Sequence, residues 1–254
     1  MFKKNKLGEL ERKNKTHINY SDQTKNFHLK HIDFWDNNWN IHSLSTIHRE
    51  TISRILYYNE LYKKIIGITG SILEFGVQWG ATLSQLISLR AIYEPYNHRR
   101  HIYGFDTFEG FVNTNIVKDG NYLKDGDYKV IKNYETELEN LLKHHENNCP
   151  VSQIRKFTLI KGDVTKTAKK WAKDNPHAVV AMAIFDMDIY KPTKEALLAI
   201  KPKLAKGSLL VFDELNCHEF SGETIAVNEV FGLNNLKLHH DPHQPSRAWA
   251  IWGE

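Results

Sequence analysis

Cysteine is scarce in this chain: Cys149 and Cys217 are the only two among 254 residues. Two thiols could pair, but such sparse use is typical of a reducing compartment and argues against a fold held together by a disulfide framework. A cytoplasmic protein is therefore expected.

Long apolar runs are also missing. The mean hydropathy is -0.51, and no run approaches the roughly 20 residues needed to cross a bilayer. The N-terminal segment is basic, but no apolar stretch follows it, which argues against a secretory signal. Neither a membrane-spanning helix nor export is expected.

Excess charge of either sign is small, with a net charge of +4 and a pI of about 8.8. Much of the positive excess lies near the N-terminus, where a disordered or loosely docked tail is the simplest interpretation. The basic residues do not form a stripe interleaved with aromatics, so nucleic acid is not favoured as a partner. A homo-oligomer stays open, because most soluble oligomers consist of identical subunits.

The region from residue 33 to residue 66 has a helical pattern. Gly67 and Gly70 end this pattern, and apolar side chains recur at helical spacing within "HRETISRILYYNELYKKII", at Ile52, Ile55, Leu56, Tyr62 and Ile66. We therefore expect residues 1–66 to form a basic tail and an N-terminal helical cap, and residues 67–254 to form the main domain.

Short apolar runs alternate with helical patterns in the main domain. This alternation is typical of an α/β fold, here a Rossmann-like, doubly wound and mostly parallel sheet with helices on both faces. The fourth run, "VVAMAIF", is apolar throughout, as expected of a strand buried on both faces. The predicted strands are residues 72–75, 101–105, 157–160, 179–185 and 209–212.

The chain between the second and third predicted strands is too long for a plain crossover. We expect a lid loop over about residues 107–134, which would cover a site at the sheet edge, and then a helix near residues 135–144. The C-terminal segment predicts a hairpin of two more strands, around residues 236–238 and 248–252.

An acidic residue ends or follows each of the five predicted strands. In an open α/β sheet, ligands bind in the crevice beyond the carboxyl ends of the strands, where the strand order reverses. One such acid is ordinary, since Asp and Glu often cap turns, but five in succession favour a pocket that handles cations or hydroxyl groups. The acids are Glu74, Asp106, Asp163, Asp186 with Asp188, and Asp213 with Glu214.

The first strand leads into a glycine turn, "EFGVQWGAT", in which Gly76 and Gly80 would let the backbone bend sharply and approach a ligand. Gln78 stands where G-x-G-x-x-G has its middle glycine, which weighs against a pyrophosphate cradle. A ligand without a phosphate is therefore favoured, and an NAD(P)-dependent oxidoreductase, which would bind a pyrophosphate, is the less favoured function. Asp106, at the end of the second strand, is placed to accept hydrogen bonds from ribose hydroxyls. For Gly76 and Gly80 the alternative is a tight turn without a ligand, and for Asp106 it is an ordinary turn or cap residue.

Four acids after the fourth and fifth strands suggest a metal site. Carboxylates this close repel one another and either raise their pKa values or recruit a cation. Hard oxygen ligands suit Mg²⁺ or Ca²⁺ rather than zinc. Ordinary helix capping by Asp186 and Asp213 is the alternative. The candidate ligands are Asp186, Asp188, Asp213 and Glu214.

Five stretches between about Ser71 and Val230 resemble the class I S-adenosylmethionine (SAM)-dependent methyltransferases, specifically the macrocin O-methyltransferase family. They are "LEFGVQWGAT", "IYGFDTFEGF", "LIKGDV", "FDMDIYKPTKEAL" and "LLVFDELNCHEFSGETIA". The resemblance implies methyl transfer from SAM to a hydroxyl, commonly of a sugar, with Mg²⁺ orienting the acceptor oxygen.

The resemblance also implies roles for individual residues. It gives Glu74, Gly76 and Gly80 to the methionine side of SAM, Asp106 to the ribose, and Asp163 to a place near the adenine. For the metal, it implies Asp186 or Asp188 together with Asp213 and Glu214. Many members have two aspartates where this chain has Asp213 and Glu214. Because glutamate has a longer side chain than aspartate, Asn216 is a candidate metal ligand in place of Glu214.

A general base would complete such a site. Lys191 and His218 lie close in sequence to the candidate ligands, and either could take the proton, although a solvated surface residue is the alternative for each. Together with Asp186 they are the candidate catalytic residues. The predicted function is a SAM-dependent, Mg²⁺-assisted O-methyltransferase acting on a small sugar or glycosylated acceptor, either a polysaccharide precursor or a natural product. A nucleic-acid methyltransferase is the least favoured alternative.

Overall fold

A seven-stranded sheet forms the centre of the computed structural model, which describes residues 3–10 and 15–254. The strand order is β3-β2-β1-β4-β5-β7-β6, and β1 to β5 run parallel, whereas β7 is antiparallel to β5 and to β6. The strands are β1 (Ser71–Phe75), β2 (Ile102–Asp106), β3 (Phe157–Lys161), β4 (Val180–Phe185), β5 (Leu204–Phe212), β6 (His239–Asp241) and β7 (Gln244–Ile251).

This topology confirms the predicted doubly wound, mostly parallel sheet. The five predicted parallel strands all form, and every residue of β4 is buried, as its apolar sequence requires. The C-terminal hairpin also forms, but its first strand begins at His239 rather than near residue 236. Strand order reverses between β1 and β4, so a crevice opens there at the carboxyl edge.

Helices cover both faces of the sheet. One hydrophobic core lies under α3, α4 and α5, and the other under α6, α7 and α8. The helices are α1 (Lys15–His31), α2 (Trp39–His42), α3 (Arg49–Ile65), α4 (Ala81–Tyr93), α5 (Tyr134–Asn147), α6 (Val164–Asp174), α7 (Tyr190–Ile200) and α8 (Ser221–Phe231). Within the described ranges, none of these helices combines the length and apolar character needed to cross a membrane.

The N-terminal part is more ordered than the sequence suggested. Where a loosely docked tail was expected, residues 15–31 form α1. Part of that tail, residues 1–2 and 11–14, lies outside the described residues. Residues 3–10 contact the main domain. Lys4 pairs with Asp127 of the 107–133 loop. Glu9 Oε1 accepts a hydrogen bond from Gln78 Nε2, in the turn after β1, over 2.7 Å.

The buried face of α3 differs from the predicted apolar stripe. Of the five predicted positions only Tyr62 is buried, whereas Ile52, Ile55, Leu56 and Ile66 are at least 40% exposed. The face that packs on the sheet is largely aromatic, because tyrosine rings supply apolar area as aliphatic side chains do. Its members are Tyr57, Tyr58, Leu61, Tyr62 and Ile65.

The segment between β2 and α5, residues 107–133, forms no helix or strand. It is anchored at its middle by Asp119, which is 1% exposed. Asp119 Oδ1 accepts the Tyr190 N–H and Oδ2 accepts the Asn115 N–H, each over 2.6 Å. This carboxylate therefore ties the loop to the first residue of α7, directly beyond the β4 acids.

Candidate active site

A cavity of about 380 Å³ opens at the carboxyl edge of the sheet. It is bounded by the residues that follow β1, β2, β4 and β5, and by Phe111 and Tyr128 of the 107–133 loop. This is the crevice that the strand-order reversal creates, and the 107–133 loop lines one side of it.

The hydrogen-bond ladder of the sheet brings the acids to this cavity. Phe75, Phe185 and Phe212 lie side by side as the last paired residues of β1, β4 and β5. Beyond them, the Asp186 N–H donates to Phe75 O over 2.8 Å and the Asp213 N–H donates to Phe185 O over 3.1 Å. The two aspartates thus occupy equivalent places on adjacent strands, which is why they converge.

Asp186, Asp188 and Asp213 form one cluster in which a carboxylate oxygen of each lies within 4.8 Å of the others. Asp188 has a left-handed backbone, with φ of 61°, in the turn that leads into α7. Burial, followed by repulsion from Asp186, raises the pKa of Asp213 to about 7, against the opposing effect of Arg247. Three hard oxygen donors in this arrangement fit a Mg²⁺ ion.

Glu214, which the sequence also suggested as a ligand, is not a member of that three-carboxylate cluster. It lines the cavity and is 7% exposed. Its backbone N–H donates to Glu223 Oε1 over 3.1 Å. Glu223, a fully buried residue of α8 that the sequence reasoning missed, therefore holds the turn that carries Asp213. Burial, followed by the charge of Asp213, keeps the pKa of Glu223 well above its usual value.

The glycine turn after β1 is held by Asp106. Its Oδ2 accepts the N–H groups of Val77 and Gln78 over 2.7 and 2.8 Å, and its Oδ1 accepts the Phe108 N–H over 2.6 Å. Asp106 also lines the cavity, so the carboxylate that clasps the turn borders the space available to a ligand. The ribose contact expected from the sequence stays a prediction, and the clasp of the turn was not anticipated.

Gly76 is required by a close backbone approach. Its φ is 94°, and a Cβ atom there would lie 1.8 Å from the Asp186 carbonyl oxygen. Gly80, with φ of 77°, precedes α4 instead, and its Cβ would meet the Leu138 side chain at 2.3 Å. Only Gly76 of the two lines the cavity.

Glu74 lies deep in the cavity and is 1% exposed. Burial, followed by the charge of Asp186, raises the pKa of its carboxyl group well above the usual value, while a hydrogen bond with the Thr82 side chain acts in the opposite direction. Among the described residues, its Oε2 atom has no hydrogen-bond partner. A buried, orphaned acceptor of this kind indicates a place for a ligand donor.

Three other predicted residues lie outside the residues that line the cavity. Asp163 caps α6 by accepting the Thr165 N–H over 2.9 Å, so the adjacent Val164 reaches the cavity instead. Lys191 is exposed in the first turn of α7, and His218 is exposed in the segment before α8. The structure therefore does not bring Lys191 or His218 to the acids.

Two arginines that the sequence analysis did not identify line the cavity. Arg54 comes from α3, and its Nη2 lies 3.8 Å from Asp186 Oδ2. Arg247 comes from β7, and its Nη2 lies 2.5 Å from Asp213 Oδ1. The lone charge within the "RAWAI" strand pattern was an available signal for Arg247, whereas nothing in the α3 pattern singles out Arg54.

Comparison with known proteins places this geometry in a family. A model of the macrocin O-methyltransferase (TylF) family matches residues 37–235. That range begins just before α2, ends beyond α8 and includes each of the acids that line the cavity. No curated protein matches the chain.

Solved structures similar to this chain include O-methyltransferases. A crystal structure of CalS11, described as a calicheamicin methyltransferase, is 32% identical, with 99% of this chain and 98% of that chain covered and a TM-score of 0.89. An apo structure of CalS11, described as a TDP-rhamnose 3'-O-methyltransferase, is 30% identical, with coverages of 96% and 97% and a TM-score of 0.82. The O-methyltransferase NovP is 15% identical, with 79% of each chain covered and a TM-score of 0.62, and this likeness shows the fold alone.

Proposed function

Because the chain belongs to the macrocin O-methyltransferase family and is therefore an O-methyltransferase, we propose that it methylates a sugar hydroxyl, with SAM as donor and Mg²⁺ at the acid cluster. The observation that carries this proposal is the convergence of Asp186, Asp188 and Asp213 beside the cavity that contains Glu74 and Asp106. The family assignment replaces the oxidoreductase and nucleic-acid alternatives.

The residues after β1 and β2 suit the donor. SAM supplies an activated methyl group on a sulfonium and carries an ammonium, a carboxylate and two ribose hydroxyls. The unpartnered Oε2 of Glu74 can accept from the ammonium. Asp106 retains lone pairs for the ribose, because a carboxylate has about four acceptor sites and three N–H groups occupy it here. Gly76 and Gly80 shape the turn after β1. Asp163 lies outside the cavity lining, so it would act on the adenine side only through its cap of α6, which positions the adjacent Val164.

The acid cluster suits a divalent cation. Asp186, Asp188 and Asp213 would hold the ion, with Glu214 beside them in the cavity lining. A bound cation would supply positive charge that lowers the pKa of an acceptor hydroxyl. Asp186, which is 26% exposed at its side chain, is the carboxylate we assign to orient that hydroxyl and receive its proton. Lys191 and His218 are not used, since neither lines the cavity.

The acceptor class is inferred from the relatives. CalS11 is described as acting on TDP-rhamnose, and the present chain aligns with it over nearly its full length. A sugar or glycosylated small molecule, as found in natural products or polysaccharide precursors, is therefore the acceptor class that we propose.

The experiment that tests this function is methyl transfer from isotope-labelled SAM to TDP-rhamnose, followed by NMR, with and without excess EDTA. We expect calorimetry to detect SAM but not NADH, and we expect EDTA to abolish transfer while SAM still binds. Undiminished turnover in EDTA would remove the metal from the proposal. Binding of NADH in place of SAM would contradict the donor assignment.

Two wider predictions about the molecule also stand as proposals. Residues 1–66 would act as a helical cap on the methyltransferase domain of residues 67–254, in a cytoplasmic protein. The cap leaves large apolar side chains exposed, among them Phe34 at 83%, Leu44 at 65% and Ile41 at 59%, which supports a homo-oligomer. Light scattering coupled to size-exclusion chromatography would show a monomer if that proposal is wrong.

A further inference from the structure

Helix α3 of the cap delivers one cation, Arg54, into the donor side of the cavity. Its Nη2 donates a hydrogen bond to the Thr82 hydroxyl over 2.5 Å and lies 3.8 Å from Asp186 Oδ2. Its Nε is buried and has no hydrogen-bond partner among the described residues. Since a buried donor without a partner is costly, this atom points to a ligand that completes the site.

Arg54 differs from the other cavity arginine in what it is free to bind. Arg247 is 7% exposed, pairs with Asp213 over 2.5 Å, and donates to the Tyr58 hydroxyl over 3.2 Å. The Arg54 side chain is 28% exposed, and among the described residues its short hydrogen bond goes to a neutral hydroxyl, whereas its nearest carboxylate, Asp186, lies 3.8 Å away. Of the arginines and lysines among the described residues that line this cavity, Arg54 is therefore the one able to take a new anion.

The Thr82 side chain links Arg54 to Glu74 through hydrogen bonds. Thr82 accepts from Arg54 and also hydrogen-bonds the Glu74 carboxyl group. Glu74 and Arg54 thus flank Thr82, in the first turn of α4. The N-terminal end of a helix of this length adds a partial positive charge on the same side, which also favours an anion.

We propose that Arg54 binds the carboxylate of the donor's methionine moiety, while Glu74 faces the ammonium of the same group. This inference rests on the proposed function, because it takes SAM as the donor. The amino-acid end of SAM is a zwitterion, so it needs an acid and a cation side by side, and guanidinium is the preferred partner for a carboxylate. The cap is consequently part of the donor site as well as a cover over it.

The test compares SAM with decarboxylated SAM, which retains the sulfonium and the ammonium but lacks the carboxylate. Affinities for both are measured by calorimetry for the wild-type protein, Arg54→Gln and Arg54→Lys. Arg49→Gln is the matched control, because Arg49 lies on the same helix with its side chain 87% exposed. Circular dichroism verifies that each variant folds.

We expect the wild-type protein and Arg49→Gln to prefer SAM over decarboxylated SAM by about 10- to 100-fold, the range of a charge-assisted hydrogen bond. Arg54→Gln should weaken SAM binding by that factor and leave decarboxylated SAM within about threefold of wild type. Arg54→Lys, which keeps the charge, should retain part of the preference and serves as the test if Arg54→Gln does not fold.

Three results would overturn the inference. The first is that Arg54→Gln keeps the wild-type preference for SAM. The second is that it weakens binding of both ligands equally, and the third is that it changes only the KM for the acceptor sugar. If the wild-type protein itself fails to bind SAM, the proposed function fails, and that result is distinct from these three.

Discussion

The guanidinium of Arg247 lies 2.5 Å from Asp213 Oδ1, and this pair joins the antiparallel strand β7 to the acid cluster at the end of β5. Both side chains are nearly buried, at 8% and 15% exposure. The proximity of Asp213 and two tyrosines raises the pKa of Arg247 in opposition to burial, which alone would lower it. Strand β7 therefore supplies the charge that lets Asp213 sit beside Asp186.

Arg247→Gln should destabilise the protein by about 3–5 kcal/mol, because it leaves a buried carboxylate without its cation. Urea unfolding monitored by circular dichroism measures the change. Arg155→Gln is the control, since the Arg155–Glu139 pair is half exposed and should contribute at most about 1 kcal/mol. Adding Asp213→Asn to Arg247→Gln should restore part of the loss. Equal effects at positions 155 and 247 would contradict the prediction.

Asp188→Asn should remove the Mg²⁺ response without disturbing the backbone. Asn tolerates the left-handed conformation that Asp188 adopts at φ of 61°. If Mg²⁺ binds the folded state as proposed, it should raise the melting temperature of the wild-type protein by mass action, and we expect the variant to lose that rise. Thermal unfolding with and without Mg²⁺ tests this.

The control for that experiment is Asp174→Asn, at the exposed end of α6, which should respond to Mg²⁺ as the wild-type protein does. A full Mg²⁺ response in Asp188→Asn would show that the ion binds elsewhere.

Gly76→Ala should be far more harmful than Gly126→Ala, although both glycines have a left-handed φ. The Gly76 Cβ would lie 1.8 Å from the Asp186 carbonyl oxygen, whereas nothing lies within 4 Å of a Cβ at Gly126. We expect a loss of about 3–5 kcal/mol at position 76, from overpacking added to backbone strain, and about 1–2 kcal/mol at position 126, from strain alone. Denaturant titration of the two variants measures the difference, and similar losses would refute the close approach.

His101 predicts a pH dependence of stability that is independent of the acid cluster. Burial, followed by the charge of Arg90, lowers the pKa of His101 to about 4, against an ordinary value of about 6.5 in the unfolded chain. The unfolded state therefore binds more protons between these values. The contribution of His101 to the stability of the folded state is therefore complete above pH 6.5. It is lost as the pH falls toward 4, by up to about 3 kcal/mol.

His101→Gln should flatten that part of the curve, because glutamine does not titrate. The free energy of unfolding at pH 7 and pH 5 provides the measurement, with the exposed His177→Gln as control. If wild type and His101→Gln lose the same stability between these pH values, His101 is not buried in its neutral form.

Much of the candidate site was predictable because it depends on local pattern and on the sheet. Apolar runs of strand length, each ended by an acid, are visible in the sequence. Parallel pairing then forces their carboxyl ends to one edge, which is why Asp186 and Asp213 become neighbours through the register of β4 and β5. The glycine turn was predictable for the same reason, although the backbone that Gly76 accommodates belongs to a loop more than a hundred residues away.

Helix faces were less predictable than strand ends. The apolar stripe in α3 suggested one buried face, but Tyr57, Tyr58 and Leu61 pack on the sheet, and Ile52 and Ile55 face outward. Two faces of this helix are apolar enough to bury, so periodicity alone does not choose between them. The choice made by packing is also what turns Arg54 toward Thr82.

By itself, the sequence determined a parallel α/β sheet with acids gathered at its carboxyl edge, because strand periodicity and strand direction are short-range properties. The tertiary structure alone decided which cations meet those acids. Arg54 and Arg247 are 193 residues apart in the numbering, and they reach one cavity only when α3 and β7 pack against the same part of the sheet. Charge pairing over such a separation depends on how whole elements dock, and no local pattern encodes it.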